Sequence, residues 1–199
     1  MQFSITNTHH EIYCHTDRYA GWPANYGMWV WDNEIVLLFT SGYPDPDGGF
    51  HARDRSRPLV TMQARSTDGG ESWSVTEAPL RFGTGLGTHE HMNQEIVESL
   101  EAVEFETSSD TVFNDPNLAV MCGKTGLTAG SKSWFYTSLD RCRTWSGPFE
   151  IPMFDQLGIA ARTDWIFESP ESATLLLTTT KPNGTEGRVF ACRTEDGGK

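Results

Sequence analysis

Short apolar runs separated by polar, glycine-rich turns recur along the whole chain. The clearest case is MWVWDNEIVLLFTSG at 28–42, in which apolar residues flank an Asp-Asn pair. This pattern is typical of two strands joined by a tight turn. Runs rich in β-branched and aromatic residues predict further strands at 58–66, 117–123, 132–138, 173–180 and 187–194. Only 89–106 has the apolar spacing and acidic content of a helix, so the pattern predicts an all-β chain.

An eight-residue pattern follows three of these runs. STDGGESW occupies 66–73, SLDRCRTW occupies 138–145, and a partial copy, TEDGGK, occupies 194–199. The first two copies begin 72 residues apart, and the last two begin 56 residues apart. Repeats of this size that each end in strand, turn and strand predict the blades of a β-propeller.

The residues of this pattern, S-x-D-x-G-x-x-W, are those that a tight hairpin needs. The Asp carboxylate can accept hydrogen bonds from backbone N–H groups of its own loop. The fifth residue, Gly, adopts a positive φ easily, and the Trp can anchor the next strand in the core. We therefore predict that Asp68 and Asp140 hold hairpins rather than catalyse a reaction. Cys142 replaces the Gly in the second copy, so the backbone there must adapt.

These copies resemble the Asp-box, or BNR, repeats of the sialidase (neuraminidase) superfamily, and QARSTDGGESW at 63–73 is the most similar stretch. The resemblance implies a six-bladed β-propeller of sialidase type, of which about three blades are present here, with a site at the mouth of the central channel. It also implies that three Arg bind the substrate carboxylate, that a Tyr activated by a Glu is the nucleophile and that an Asp is the acid/base. The box is specific for the fold and only weakly specific for activity.

The sialidase residues have partial counterparts in this chain. The first Arg of the family lies in an F/Y-R-I-P segment; here Trp22-Pro23-Ala24 fits I-P-A, while Gly21 stands at the Arg position and Arg18 lies three residues earlier. The acid/base Asp lies about six residues before the box Ser, where this chain has Val60, and Asp54 is in the preceding loop. The remaining Arg and the Tyr/Glu pair are expected from later blades.

Inner strands of a propeller line its channel, and three segments begin such strands: 17–26, 113–120 and 160–167. In the last of these, Arg162 and Asp164 share one face of a strand, either as part of a polar site or as a local ion pair. Asp115 is either a site carboxylate or a turn former before Pro116.

The loop YPDPDGGFHARDRSRP at 43–58 holds three Asp, three Arg and one His. It is either a solvated excursion or a lid that supplies Arg53, Asp54 or Arg57 to an anionic sugar. The candidate catalytic residues are Asp54, Asp115 and Asp164, and the candidate substrate-binding residues are Arg18, Trp22, Arg53, Arg57 and Arg162. We expect no metal ion, because HEH at 89–91 has poor spacing for a helical pair of ligands, and no cofactor, because the sequence contains no P-loop or dinucleotide fingerprint.

Charge and composition restrict the partners. The net charge is -12, which argues against nucleic acid because phosphate contacts need a basic face. The sequence has no run of about 18 apolar residues, so we expect no membrane span. The four Cys form no CxxC pair and are expected to be reduced thiols. If the N-terminus is native, its lack of a signal peptide predicts a cytoplasmic protein.

Two functions follow from these observations. The first is a sialidase-like glycoside hydrolase that acts on glycoconjugates; the alternative is a non-catalytic carbohydrate-binding or scaffolding propeller. We treat 1–199 as one propeller domain that is incomplete at its C-terminus, because the register of the third box places its Trp at position 201. Further blades of a longer chain, or a second copy, would complete it.

Overall fold

The computed structural model describes residues 8–21, 27–48, 52–54, 56–57, 59–80, 112–126, 128–184 and 187–198. Eleven strands and no helix occur in these ranges, which confirms the all-β prediction. The strands are β1 (Tyr19–Gly21), β2 (Met28–Trp31), β3 (Glu34–Gly42), β4 (Val60–Ser66), β5 (Ser74–Glu77), β6 (Ala119–Lys124), β7 (Ser133–Ser138), β8 (Ser146–Ile151), β9 (Ile159–Phe167), β10 (Ala173–Thr180) and β11 (Gly187–Thr194). The helix predicted at 89–106 lies outside the described residues.

The strands form three antiparallel sheets, and none of them closes into a barrel within the described ranges. In the first sheet, β1 and β2 pair with opposite ends of the same edge of β3, and β4 and β5 follow on its other side. The second sheet has the order β6-β7-β8, and the third has the order β9-β10-β11. Consecutive strands therefore pair with one another, as short hairpin connections favour.

The second sheet lies between the other two, and its side chains alternate between them. On one face, Met121, Trp134 and Tyr136 pack in one cluster with Leu38 of the first sheet. On the other face, Val120, Cys122 and Phe135 pack in one cluster with Ile159, Leu175 and Leu177 of the third sheet. This alternation follows from the two-residue period of a strand, and it explains why all six positions of β7 are buried. Two apolar layers thus lie between the three sheets, and a further cluster with Leu37, Phe39 and Ala64 lies on the other face of the first sheet.

The three boxes fold alike. In each one, the first hydroxyl side chain donates to the box Asp and accepts the backbone N–H of the fifth residue. These trios are Ser66, Asp68 and Gly70; Ser138, Asp140 and Cys142; and Thr194, Asp196 and Gly198. The fifth residues have φ values of 97°, 63° and 84°, so Cys142 adopts the glycine conformation. The box carboxylates organise hairpins, as predicted for Asp68 and Asp140.

The boxes also define one end of the stacked sheets, which we call the box end. Box one connects β4 to β5, and box two connects β7 to β8. The opposite end, which we call the loop end, carries the described residues of the loop at 43–59 and of the connections at 125–132 and 152–158. The predicted inner strand at 113–120 needs a correction, because 113–118 form turns at the box end and β6 begins only at Ala119.

An ion cluster joins the first two sheets at the box end. The Glu34 carboxylate, with its side chain 11% exposed, pairs with Arg65 of the same sheet and with Arg141 and Arg143 of box two. Burial raises the pKa of Glu34, but the hydrogen bonds from Arg141 and Arg65 and the charge of Arg143 outweigh it, so the pKa lies below its ordinary value. Glu34 is thus held ionised as a bridge between the sheets.

Candidate functional site: an arginine–tyrosine cluster at the loop end

Two guanidinium groups contact the ring of Tyr43 at the loop end. The Cζ atom of Arg18 lies 4.2 Å from the ring centroid, and that of Arg57 lies 3.5 Å from it. Tyr19 pairs with Gly42 in the antiparallel register of β1 and β3, so this register puts Arg18 opposite Tyr43. Both distances are within the range of cation–π contacts.

The fold of the loop brings Arg57 to the same ring. A bridge between Pro44 and Arg53 closes the base of the loop, and the N–H of Asp54 donates to the Tyr43 carbonyl over 2.9 Å. The Asp54 carboxylate then accepts Arg57 Nε over 2.7 Å. Asp54 thereby fixes the plane of the Arg57 guanidinium beside Tyr43.

The surroundings of Asp54 keep it ionised. Its carboxylate accepts the hydroxyl of Ser56 over 2.6 Å and the backbone N–H of Ser56 over 2.8 Å, in addition to Arg57. The Ser56 hydroxyl, Arg57 and the Ser56 N–H together lower the pKa of Asp54 to about 2. A general acid that works near neutral pH needs a raised pKa. In this geometry Asp54 can orient Arg57, but it is not suited to donate a proton.

The cluster is open to solvent. The Arg57 side chain is 48% exposed, whereas Tyr43 and Arg18 are half-buried. The cluster itself has two guanidinium groups and one carboxylate, and Asp17, Asp45 and Asp47 are nearby in the sequence. The Nη groups of Arg57 make no hydrogen bond to any described residue, so they remain able to bind a ligand. Exposed guanidinium groups of this kind suit carboxylate or sulfate ligands.

The structure unites some of the predicted site residues and separates others. Arg18, Arg53, Asp54 and Arg57 share the loop end of the first sheet; Arg53 is 3% exposed at the base of the loop. Arg162 and Asp164 lie exposed on β9 of the third sheet, so the second sheet lies between them and the loop. Trp22 lies outside the described residues.

Asp115 lies at the other end of the stack. It accepts the N–H of Asn117 over 2.7 Å, and its carbonyl accepts the N–H of Leu118, within turns beside box two. The shared site predicted for Asp115 with Arg18 is therefore not formed in this structure. Catalytic roles for Asp54, Asp115 and Asp164 remain predictions.

The sequence analysis missed Tyr43, although it begins the charged loop at 43–58. One signal in the sequence indicated this residue: the Tyr stands directly before a Pro, where a buried strand meets an Arg-rich loop. Of the His, Cys, Asp and Glu residues that the structure describes, no group of three or more could hold a metal ion. All four Cys are free. No helix in the described part of the chain is long and apolar enough to cross a membrane.

No protein-family model matches the chain, and no curated protein matches it. Among solved structures, the chain is similar to a polysaccharide lyase of family PL25, an ulvan lyase, and to a PL25 ulvan lyase bound to -[GlcA(1-4)Rha3S]-. In both cases the identity is 14%, the TM-score is 0.45, and the match covers 91% of this chain and 40% of the other. The chain thus spans about two fifths of the lyase chains. These matches do not test the resemblance to sialidases, which remains a prediction.

Proposed function

We propose that the chain is part of an Asp-box β-propeller of sialidase type and that it binds acidic carbohydrate at the Arg18–Tyr43–Arg57 cluster. The propeller proposal is supported by three sheets that stack face to face in chain order, two of them with a box in the hairpin before the last strand. Successive blades of a propeller are antiparallel sheets packed in this way.

The observation that carries the binding proposal is the contact of two guanidinium groups with one accessible Tyr ring. Arg presents several N–H donors in a plane and binds carboxylates and sulfates through paired hydrogen bonds. Because Asp54 and Tyr43 hold the Arg57 side chain in place, less conformational entropy is lost when a ligand binds. The class of ligand that fits is a saccharide that carries a carboxylate or a sulfate.

Binding without hydrolysis is the better-supported form of this proposal. Glycoside hydrolysis requires a carboxylic acid beside the scissile bond, and the only candidate carboxylate in the described cluster, Asp54, is ion-paired and has a lowered pKa. Asp164 lies in the third sheet and Asp115 lies at the box end. We expect the 199-residue chain to show little or no cleavage of a fluorogenic sialoside.

Calorimetric titration with sialyllactose and with lactose tests the binding proposal. We expect the acidic sugar to bind at least ~10-fold more tightly than the neutral one, because a charged hydrogen-bonded pair contributes about 1.5–3 kcal/mol. Arg57→Gln should remove most of this preference, since it removes one guanidinium group from the cluster.

Arg193→Gln is the matched control. Arg193 is 51% exposed, close to the 48% of Arg57, but it pairs with Glu168 and Glu195 at the box end. We expect it to bind like the wild type. Equal affinities for the two sugars, or equal losses in the two variants, would contradict the proposal.

A further inference from the structure

The two guanidinium groups of the loop-end cluster lie on opposite faces of the Tyr43 ring. The Cζ atom of Arg57 is 3.5 Å from the ring centroid, and that of Arg18 is 4.2 Å from it. Both distances are close to van der Waals contact with the ring, so two planar groups on the same face would overlap. The ring therefore separates the two groups, and their Cζ atoms are about 7–8 Å apart.

The two groups reach the ring from different parts of the chain. Arg18 directly precedes β1, and the pairing of β1 with β3 puts it opposite Tyr43. Arg57 comes from the far side of the loop, where the Asp54 carboxylate accepts its Nε over 2.7 Å. The separation of the two guanidinium groups is thus set by a strand pair and by an ion pair, so it exists before a ligand binds.

Most N–H donors of both groups have no partner among the described residues. Arg57 uses only its Nε, and the side chain of Arg18 makes neither a hydrogen bond nor an ion pair there. Asp17, Asp45 and Asp47 are close in the sequence, but within the described ranges none of them forms an ion pair with either group. One guanidinium group therefore remains available on each face of the ring.

A single anionic group cannot pair with both guanidinium groups. A carboxylate or sulfate binds a guanidinium group best through two parallel hydrogen bonds, with N–O distances of about 2.7–2.9 Å. Because the Tyr43 ring fills the space between the two groups, an anionic group paired in this way with Arg57 is too far from Arg18 to pair with it as well. The geometry therefore favours a ligand with at least two anionic groups.

We propose that the cluster binds an acidic oligosaccharide at two points, with one anionic group on Arg18 and another on Arg57. This inference rests on the proposed function and specifies its ligand: a chain of charged sugar units rather than a single terminal acidic sugar. Once the first anionic group is bound, the second binds intramolecularly, at a high effective concentration. Tyr43 is the spacer that determines which separations of charge fit.

Calorimetry with two trisaccharides of equal length tests the proposal. Trigalacturonate carries three carboxylates, and its dimethyl ester carries one on the same sugar rings. Three carboxylates that bound one at a time would improve the affinity about threefold, whereas simultaneous pairing with both guanidinium groups should improve it at least ~10-fold. The titrations are made in about 0.15 M NaCl, which screens long-range attraction between charges.

Arg18→Gln distinguishes the two binding points. It should lower the affinity for trigalacturonate at least ~5-fold and leave that for the dimethyl ester within ~2-fold, because a single carboxylate pairs with the more exposed Arg57. Arg57→Gln should lower both affinities. Arg193→Gln, which removes the same charge at the box end, is the control and should change neither. Circular dichroism establishes that the variants are folded.

Three results would overturn two-point binding: equal affinities for trigalacturonate and its dimethyl ester, unchanged binding of trigalacturonate by Arg18→Gln, or an equal loss in Arg193→Gln. If the dimethyl ester nevertheless binds more tightly than the neutral trimethyl ester, the proposed function survives and only the second binding point is lost. If neither acidic trisaccharide binds more tightly than the trimethyl ester, the proposed function itself fails.

Discussion

The Asp140 carboxylate of box two accepts several hydrogen bonds from its own hairpin. Asp140 accepts the hydroxyls of Thr144 and Ser138 over 2.6 and 2.8 Å, and it accepts the N–H groups of Thr144 and Arg143 over 2.9 and 3.0 Å. These bonds explain why the pKa of Asp140 lies below its ordinary value although burial alone raises it. The role resembles that of an N-cap residue, in which one short side chain satisfies several backbone donors.

Removing the Asp140 carboxylate should destabilise the fold without affecting the loop-end cluster. We expect Asp140→Ala to lower the free energy of unfolding by about 1–2 kcal/mol, because it leaves several donors unsatisfied. Urea unfolding at neutral pH measures this change. Asp17→Ala is the control, since Asp17 is exposed and only its backbone N–H, bonded to the side chain of His15, is involved in a hydrogen bond. Equal stabilities of the two variants would show that the box carboxylate has no structural role.

At the scale of elements, the strands could be predicted from the sequence, whereas the contacts between sheets could not. The strands predicted at 173–180 and 187–194 coincide with β10 and β11, because each is a run of suitable residues between turn signals. The Glu34 cluster left no such signal, since its partners are 31 to 109 residues away in the chain. Asp115 was ambiguous for a different reason, because a carboxylate before Pro suits either a turn or a site.

The Glu34 bridge makes the contact between the first two sheets dependent on pH. A carboxyl group whose pKa is lowered by folding stabilises the fold fully above its unfolded pKa, near the ordinary value of 4.5, and loses that contribution as the pH falls through the folded value. Glu34→Gln should therefore cost about 1–3 kcal/mol at pH 7 and less at pH 3.

Urea unfolding at a series of pH values measures this difference between wild type and variant. Glu77→Gln, at an exposed position at the end of β5, is the control and should run parallel to the wild type. A deficit of Glu34→Gln that stays constant down to pH 3 would mean that the carboxylate charge does not contribute to the bridge.

At the scale of the molecule, protection from solvent is unevenly distributed over the stack. β7 is hydrogen-bonded on both edges, and both its faces are covered by neighbouring sheets. β11 is bonded on one edge among the described residues; its positions 187–189 are exposed, and those from 190 to 194 alternate between half-buried and exposed. The free energy of local opening should follow this order, because it rises with buried contacts and with paired backbone groups.

Hydrogen exchange followed by mass spectrometry can test this order on the intact chain. We expect amides in 133–138 to exchange at least ~10-fold more slowly than those in 187–194, since opening β7 disrupts both apolar layers whereas β11 can fray alone. Equal exchange rates in the two segments would contradict the stacked arrangement, in which neighbouring sheets bury both faces of the second sheet.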